Sequence, residues 1–416
     1  MEYTRDIDNR WSFKEADTKE YTHCYHNYPA MMIPQVARTL MDEFCPKGKF
    51  ELIFDPYAGS GTTLVEASIK GINSVGTDLN PLARLMSRVK TTHYDLDTIE
   101  NLFSEIQFKI GFYFPSKVQN RNFDRISNYT FWYSEDSLLR LSYLNQLIES
   151  LDDYKDFFRL ILSEVVRESS FTRNGEFKRF KMSEKQLKLF KPEVFKLFVT
   201  KGMRNINGLR QFNAIKRLPE CTKICGFNSA IEIPSDIISN SSVDMVVTSP
   251  PYGDSHTTVA YGQFSRWANE WFGFENAKNL DSILMGGKKS AKEYFETESI
   301  RDILDEIKAK DFKRYQEVTS FLNDYWSSIK NVAKVVRNGG MICYVVGNRT
   351  VKGVQIPLDY FTAEMFEKCG FTHKITIVRE IPNKRMPSKN SPTNVAGMKA
   401  STMSNEYIVI MEKNCD

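Results

Sequence analysis

No two of the seven cysteines, at 24, 45, 221, 225, 343, 369 and 415, form a C-x-x-C pair. An odd, scattered set fits reduced thiols better than disulfides or zinc, so no structural metal is expected. No apolar run approaches the ~18 residues that a membrane span needs. The opening Met1–Arg10 is charged and lacks the apolar stretch of a secretion signal, which points to a cytosolic protein. No internal repeat is present. With 41% hydrophobic and 26% charged residues the chain has ample core material, and disorder is excluded. Its 416 residues suffice for one large domain with an insertion, or for two domains.

The net charge of +4 is unremarkable, but its distribution is uneven. Between Phe171 and Arg217 stand thirteen Lys or Arg against three Glu, a local net of +10 that leaves −6 for the remainder. Phe171, Phe177, Phe180, Phe190, Phe195, Phe198 and Phe212 are interleaved with these cations. Phenylalanines at such spacing usually belong to a core. The charge excess, however, supplies what contact with a phosphate backbone requires.

Two stretches carry chemistry. The first, Phe50 to Thr63, is a short apolar strand, a tight Gly59-Ser-Gly61 turn and the start of a helix over 63–70 that Gly71 closes. The glycines allow close approach of a ligand, and free amides at the helix start favour a carboxylate or phosphate. The dinucleotide fingerprint would want Gly or Ala where Leu64 stands, and a Walker lysine is absent, so phosphate binding is disfavoured. A second strand, Ile72 to Asp78, ends in an acid, and Asn80-Pro81 caps the next helix. In a βαβ unit of this kind the acid hydrogen-bonds ribose hydroxyls. Upstream, Tyr21 to Pro34 is dense in aromatics and prolines and leads into a helix over 35–44. It can serve as a cap over a pocket or simply as a lead-in.

The second stretch, Val243 to Asp254, reads as a buried strand stopped by Pro250-Pro251. The tetrad Ser249 to Tyr252 therefore lies at a strand's carboxyl end, where open α/β sheets bind ligands. An acceptor oxygen, a fixed turn and an aromatic face there suit a flat, amino-bearing molecule. Between the two stretches, from about 99 to 220, the α/β rhythm gives way to helical spacing over 138–151, 157–166 and 184–198. It resumes at Lys223 to Ser229. Residues 255–317 read as polar and partly helical, with Tyr261 to Trp267 as an aromatic loop. A helix over 321–336, a strand over 341–346 and two last strands over 375–381 and 407–411 complete the chain. A basic loop with Lys384, Arg385, Lys389 and Lys399 joins those last two strands.

Taken together, the chain resembles the bacterial DNA amino-methyltransferases that use S-adenosylmethionine, the cytosine-N4 group in particular. Asp55-Pro-Tyr-Ala-Gly-Ser-Gly-Thr62 is similar to the family's first cofactor motif, Gly76-Thr-Asp-Leu-Asn-Pro81 to its ribose motif, and Thr248-Ser-Pro-Pro-Tyr252 to its catalytic motif. His26 to Pro34 resembles the segment that closes over the methionine end of the cofactor. Val346-Gly-Asn-Arg349, Arg379 to Pro387 and Thr402 to Glu406 extend the resemblance, which covers about 1–95 and 223–413. Met31 stands where the family usually has Lys, and Phe227-Asn-Ser-Ala230 replaces a Gly-Asp-Ser-Arg pattern.

The resemblance implies an α/β fold: a Rossmann-like class I methyltransferase sheet with helices on both faces, made by 1–98 and 221–416. A largely helical basic insertion, 99–220, is the candidate target-recognition region. Tyr28, Pro29, Asp55, Pro56, Tyr57, Gly59, Ser60, Gly61, Thr62, Asp78, Asn80 and Asn228 are implied to hold the cofactor. Ser249 and the Pro250 carbonyl are implied to accept hydrogen bonds from the target amine, with Pro251 fixing the turn and Tyr252 stacking on the base. Arg173, Lys178, Arg179, Lys181, Lys384 and Arg385 are implied to contact double-stranded DNA. A nucleoid-associated cytoplasmic protein of a bacterium or archaeon is implied, with a cognate restriction endonuclease as the partner of such a context. Adenine N6 or RNA as target, and a non-catalytic DNA-binding protein that holds the cofactor, remain the alternatives.

Overall fold

The computed structural model describes residues 3–46, 50–173, 175, 177–215, 219, 221–254, 260–381, 389–390, 400–401 and 404–415. Its centre is an eight-stranded sheet. The strands are β1 (Arg5–Ile7), β2 (Leu52–Asp55), β3 (Asn73–Thr77), β4 (Thr222–Cys225), β5 (Val243–Thr248), β6 (Val336–Val346), β7 (Phe371–Glu380) and β8 (Asn405–Lys413). Their spatial order is β1-β7-β8-β6-β5-β2-β3-β4. Every neighbouring pair is parallel except the two made by β8, which runs antiparallel to β6 and β7.

Alternation along the strands explains why the sheet is covered twice. Ile342, Tyr344, Val346, Val409 and Met411 join one core, under the helices Phe312–Val335 and Leu358–Glu367. Met341, Cys343, Val345, Ile408 and Ile410 point the other way and pack with Trp11 and the helix Pro34–Glu43. Strand side chains have period two, so successive residues face opposite layers. The expected α/β sheet with helices on both faces is what the chain forms.

A third core contains the helices Leu96–Gly111, Glu135–Glu149, Lys155–Glu168 and Val194–Asn213. It is continuous with Tyr25 and Tyr28 of the amino-terminal segment, with the Leu82 face of the helix Pro81–Thr91, and with Trp267 and Trp271. The helical insertion thus shares its interior with residues on both sides of it.

Several local readings need correction. The helix expected over 184–198 is two helices, Glu184–Leu189 and Val194–Asn213, because Pro192 lacks the amide that a continuous helix needs there. Tyr261 to Trp267 is no loop but the start of the helix Tyr261–Trp271, which buries Ser265, Trp267, Ala268 and Trp271. Asp281 caps its beginning by accepting from the Gly262 amide at 2.9 Å. The helix expected from Phe321 begins at Phe312, where the Asp311 carboxylate accepts from Arg314 N at 3.1 Å. The polar start of the chain contains β1, which was not anticipated.

Candidate functional site

The first stretch folds as a strand, a turn and a helix. Asp55, the last residue of β2, is buried, and burial pushes its carboxyl up to about 6. Its Oδ1 accepts from Thr248 Oγ1 at 2.5 Å and from the Tyr57 amide at 3.1 Å. The carboxyl ends of β2 and β5 are thereby tied together. Gly59 and Gly61 both have positive φ, +51° and +80°. A Cβ on Gly61 would lie 2.8 Å from the Ser87 backbone, so only glycine lets the next helix approach this closely.

Asp78 follows β3. One carboxylate oxygen accepts from the Gly59 amide at 2.9 Å and the other from the Asn80 amide at 2.7 Å. Burial raises its carboxyl above the ordinary aspartate value, and these two amides act against that rise. Asn80 is a junction. Its amide nitrogen donates to Tyr28 Oη at 2.8 Å and Ser265 Oγ at 2.7 Å, and its oxygen caps Leu82 N at 3.2 Å. Tyr28 in turn stacks on Tyr261, with ring centroids 5.6 Å apart. Behind the turn, buried Glu66 pairs with His23 Nε2 at 2.8 Å and with Arg38 Nε at 2.8 Å. That cluster fixes the amino-terminal segment against the helix Thr62–Ile69.

Together these parts enclose a cleft of about 570 Å³. Tyr28, Pro29, Asp55, Pro56, Tyr57, Gly59, Ser60, Thr62, Asp78, Asn80 and Asn228 all line it, as do Ser249 and Pro251. Gly61 lies behind the turn, and neither Pro250 nor Tyr252 lines the cleft. Asn228 turns its side-chain oxygen to the Ala230 amide at 2.9 Å. Sequence reasoning missed another wall, formed by Ser282 to Met285, Lys288 and Asp324. Asp324 holds that wall by accepting from Gly286 N at 2.9 Å. Nothing local marks 282–288. The one available signal was an acid at position 324 on the apolar side of an amphipathic helix.

At the mouth, Ser249 Oγ lies 3.1 Å from Tyr252 Oη, and the tyrosine donates to Glu406 Oε1 at 3.0 Å. The other Glu406 oxygen pairs with Arg379, whose Nε donates to the Trp11 carbonyl at 2.9 Å.

The basic block divides in two. Lys201, Arg204 and Arg210 are spent internally, on Glu168, Glu164 and Glu100. The cations nearer its start border a loop closed by the bridge Thr172↔Lys181. There Lys181 Nζ sits 3.6 Å over the exposed Phe131 ring, and the Arg179 guanidinium 4.7 Å over Trp267. The Arg179 amide donates to Gln263 Oε1 at 3.3 Å. Gln263 belongs to the helix whose first residue, Tyr261, lines the cleft. Arg173, Lys178, Arg179 and Lys181 therefore lie on a loop packed against the same helix that reaches the cleft. Lys384 and Arg385 lie outside the described residues.

Among the described residues no helix is long and apolar enough to cross a membrane, and no group of three or more His, Cys, Asp or Glu is placed to hold a metal ion.

A family model described as DNA methylase matches residues 2–86. The type II methyltransferase M.MvaI of Kocuria varians is 38% identical over 97% of this chain and 93% of its own length. The type II methyltransferase M.BsoBI of Geobacillus stearothermophilus is 23% identical over 89% of this chain and 82% of its own. Among solved structures, a SAM-dependent methyltransferase from Methanosarcina mazei aligns with 89% of this chain and 95% of its own at 9% identity, with a TM-score of 0.32.

Proposed function

This chain belongs to the type II DNA methyltransferases, and from that premise we propose that it methylates cytosine at the exocyclic N4 amine in double-stranded DNA. The observation that carries the cytosine reading is Ser249. A hydroxyl, rather than a carboxylate, precedes Pro-Pro-Tyr and faces the cleft that the glycine turn also lines.

The methyl donor is S-adenosylmethionine, and the residues present fit it. Gly59 leaves the turn open, since a Cβ there would meet only Tyr57 O at 3.8 Å and Tyr28 Cε1 at 3.9 Å. Asp78 offers carboxylate lone pairs for ribose hydroxyls, Phe227 and Ile231 offer an apolar slot for the adenine, and Tyr28 with Pro29 covers the remaining end. When bound, it supplies an electrophilic methyl group on a sulfonium.

The protein's own part is to hold and orient an amine. The lone pair of cytosine N4 is conjugated into the ring, and acceptors for both amine protons localise it. Ser249 Oγ, which lines the cleft, is assigned one of those roles, and the family resemblance gives the other to the Pro250 carbonyl beside it; alignment then supplies much of the acceleration. A neutral acceptor suffices, because the amine becomes acidic only after it gains the methyl group. A base inside the duplex is out of reach, so the target is flipped out. The loop 171–182 and the exposed Lys185, Lys188 and Lys191 hold the flanking phosphates. We assign it to the cytoplasm, with the nucleoid that holds its DNA substrate, and to a restriction-modification context in which it would protect against a cognate endonuclease.

Digestion of the methylated DNA to nucleosides tests the reading. N4-methylcytosine is the expected product; N6-methyladenine overturns the base assignment, and 5-methylcytosine overturns the mechanism as well.

A further inference from the structure

The sheet brings to the mouth of the cleft a carboxylate from the far end of the chain. Strand β8 runs antiparallel to its neighbours, so its first residues lie where the parallel strands end. Glu406 is the second residue of β8, directly opposite Arg379 of β7. The Arg379 side chain is only 4% exposed and is anchored on Trp11 O, so the acid is held in one place.

We infer that Glu406 is a positioning residue, which sets the direction of the hydrogen-bond chain Ser249–Tyr252–Glu406 and so turns the serine hydroxyl into an acceptor toward the substrate amine. This rests on the assignment of Ser249 to the amine. The argument is a count of protons. A carboxylate can only accept, and a tyrosine hydroxyl has one proton to give. Tyr252 gives it to Glu406 at 3.0 Å. The contact of 3.1 Å between Ser249 and Tyr252 then has a single polarity: serine donates and tyrosine accepts. The serine proton points away from the cleft, and both lone pairs of Oγ are left for the amine. Burial pushes the Tyr252 phenol well above its ordinary value, and the Glu406 charge adds to this, so the phenol keeps its proton.

Glu406→Gln tests the direction. Arg379 claims the amide oxygen, the amide nitrogen donates to Tyr252, and the chain reverses, so that Ser249 receives a proton and presents its own to the amine. We expect single-turnover methyl transfer to fall about tenfold to a hundredfold, the scale of one charge-assisted hydrogen bond. The dissociation constants for S-adenosylmethionine and DNA should stay within about twofold. Tyr252→Phe cuts the chain, so the double variant Glu406→Gln with Tyr252→Phe should be no slower than Tyr252→Phe alone. The inference is overturned if the two losses multiply, if Glu406→Gln keeps the wild-type rate, or if both dissociation constants rise with the rate loss, which would mark a merely structural role. A wild-type product on adenine N6 would overturn the cytosine assignment alone, because an adenine amine needs the same acceptor. A wild type that methylates no amine would sink both.

Discussion

The glycine-turn wall of the cleft and the basic loop packed on the helix Tyr261–Trp271 are built on different physics. In the wall, the geometry is carried by backbone: amides of Gly59 and Asn80 on Asp78, the Tyr57 amide on Asp55, and φ angles that only glycine adopts cheaply. In the loop it is carried by long side chains held over aromatic faces, Lys181 on Phe131 and Arg179 on Trp267. A site of the first kind is written in contiguous residues and tolerates little change. One of the second kind needs charge and reach, which many sequences supply. Substitutions should therefore act sharply on one side and gradually on the other.

The largest effect is expected at the serine that lines the cleft. Ser249→Ala should slow single-turnover methyl transfer roughly a hundredfold to a thousandfold, as loss of a site-built hydrogen-bond partner does. Calorimetric affinity for S-adenosylmethionine should be unchanged. Loss of both together would show that the serine supports the wall rather than the amine.

Next in size is the seam between the amino-terminal segment and the helical insertion. Glu164, buried on the helix Lys155–Glu168, accepts from the Asn27 amide at 3.0 Å and pairs with Arg204. Burial acts to raise its carboxyl, but His26, Arg204 and Lys201 outweigh it and hold the value down to about 2. A depressed carboxyl contributes stability above its unfolded value that is lost as pH falls through the folded one. Glu164→Gln should therefore cost roughly 2–3 kcal/mol at neutral pH. The gap from wild type in an acid-unfolding series should close between about pH 4.5 and 2. A single transition for both proteins would make the wall and the helical region one cooperative unit; two transitions would separate them.

Asp78→Ala should weaken cofactor binding by about 1–3 kcal/mol in calorimetry, because the acid proposed to receive the ribose also holds the Gly59 amide. Unchanged affinity would remove Asp78 from the site. The smallest change is expected on the basic side. If six cations meet phosphates, log affinity for DNA should fall with log salt at a slope of about −5, and Lys178→Gln with Lys181→Gln should flatten it by about 2. A slope that does not move would place the DNA on another face.

The same contrast decides what the sequence could tell. Asp55 to Thr62 and Gly76 to Pro81 are short contiguous runs whose strand, glycine turn and helix cap are written locally, so their place in a βαβ unit was legible, although the partners of Asp55 and Asn80 at Thr248, Tyr28 and Ser265 were not. The wall of Ser282 to Met285 with Asp324 was not, since 38 residues separate Asp324 from its partner Gly286. Tyr261, Phe264 and Trp267 stand at helical spacing and were read as a loop because their polar neighbours hid the period. The excess of charge over 171–217 was legible as a number, yet its division into cations paired with Glu164, Glu168 and Glu100 and cations held over aromatic rings is a tertiary fact. Strand β1 carries no alternation at all, with its three residues exposed, and only its pairing with β7 defines it.

That pairing governs how the molecule comes into being. Arg5 lies beside Thr376, and its guanidinium grips Asp359 and rests on the rings of Tyr360 and Tyr407. Strand β1 therefore cannot find its place until β7 has formed. Contacts this distant in sequence slow folding, since the closure of a very long loop precedes any gain from them. Until β8 emerges, β6 has an open edge of the kind that recruits other chains. Glu406 belongs to that same strand, so the docking of β8 both covers the β6 edge and sets the carboxylate against Tyr252.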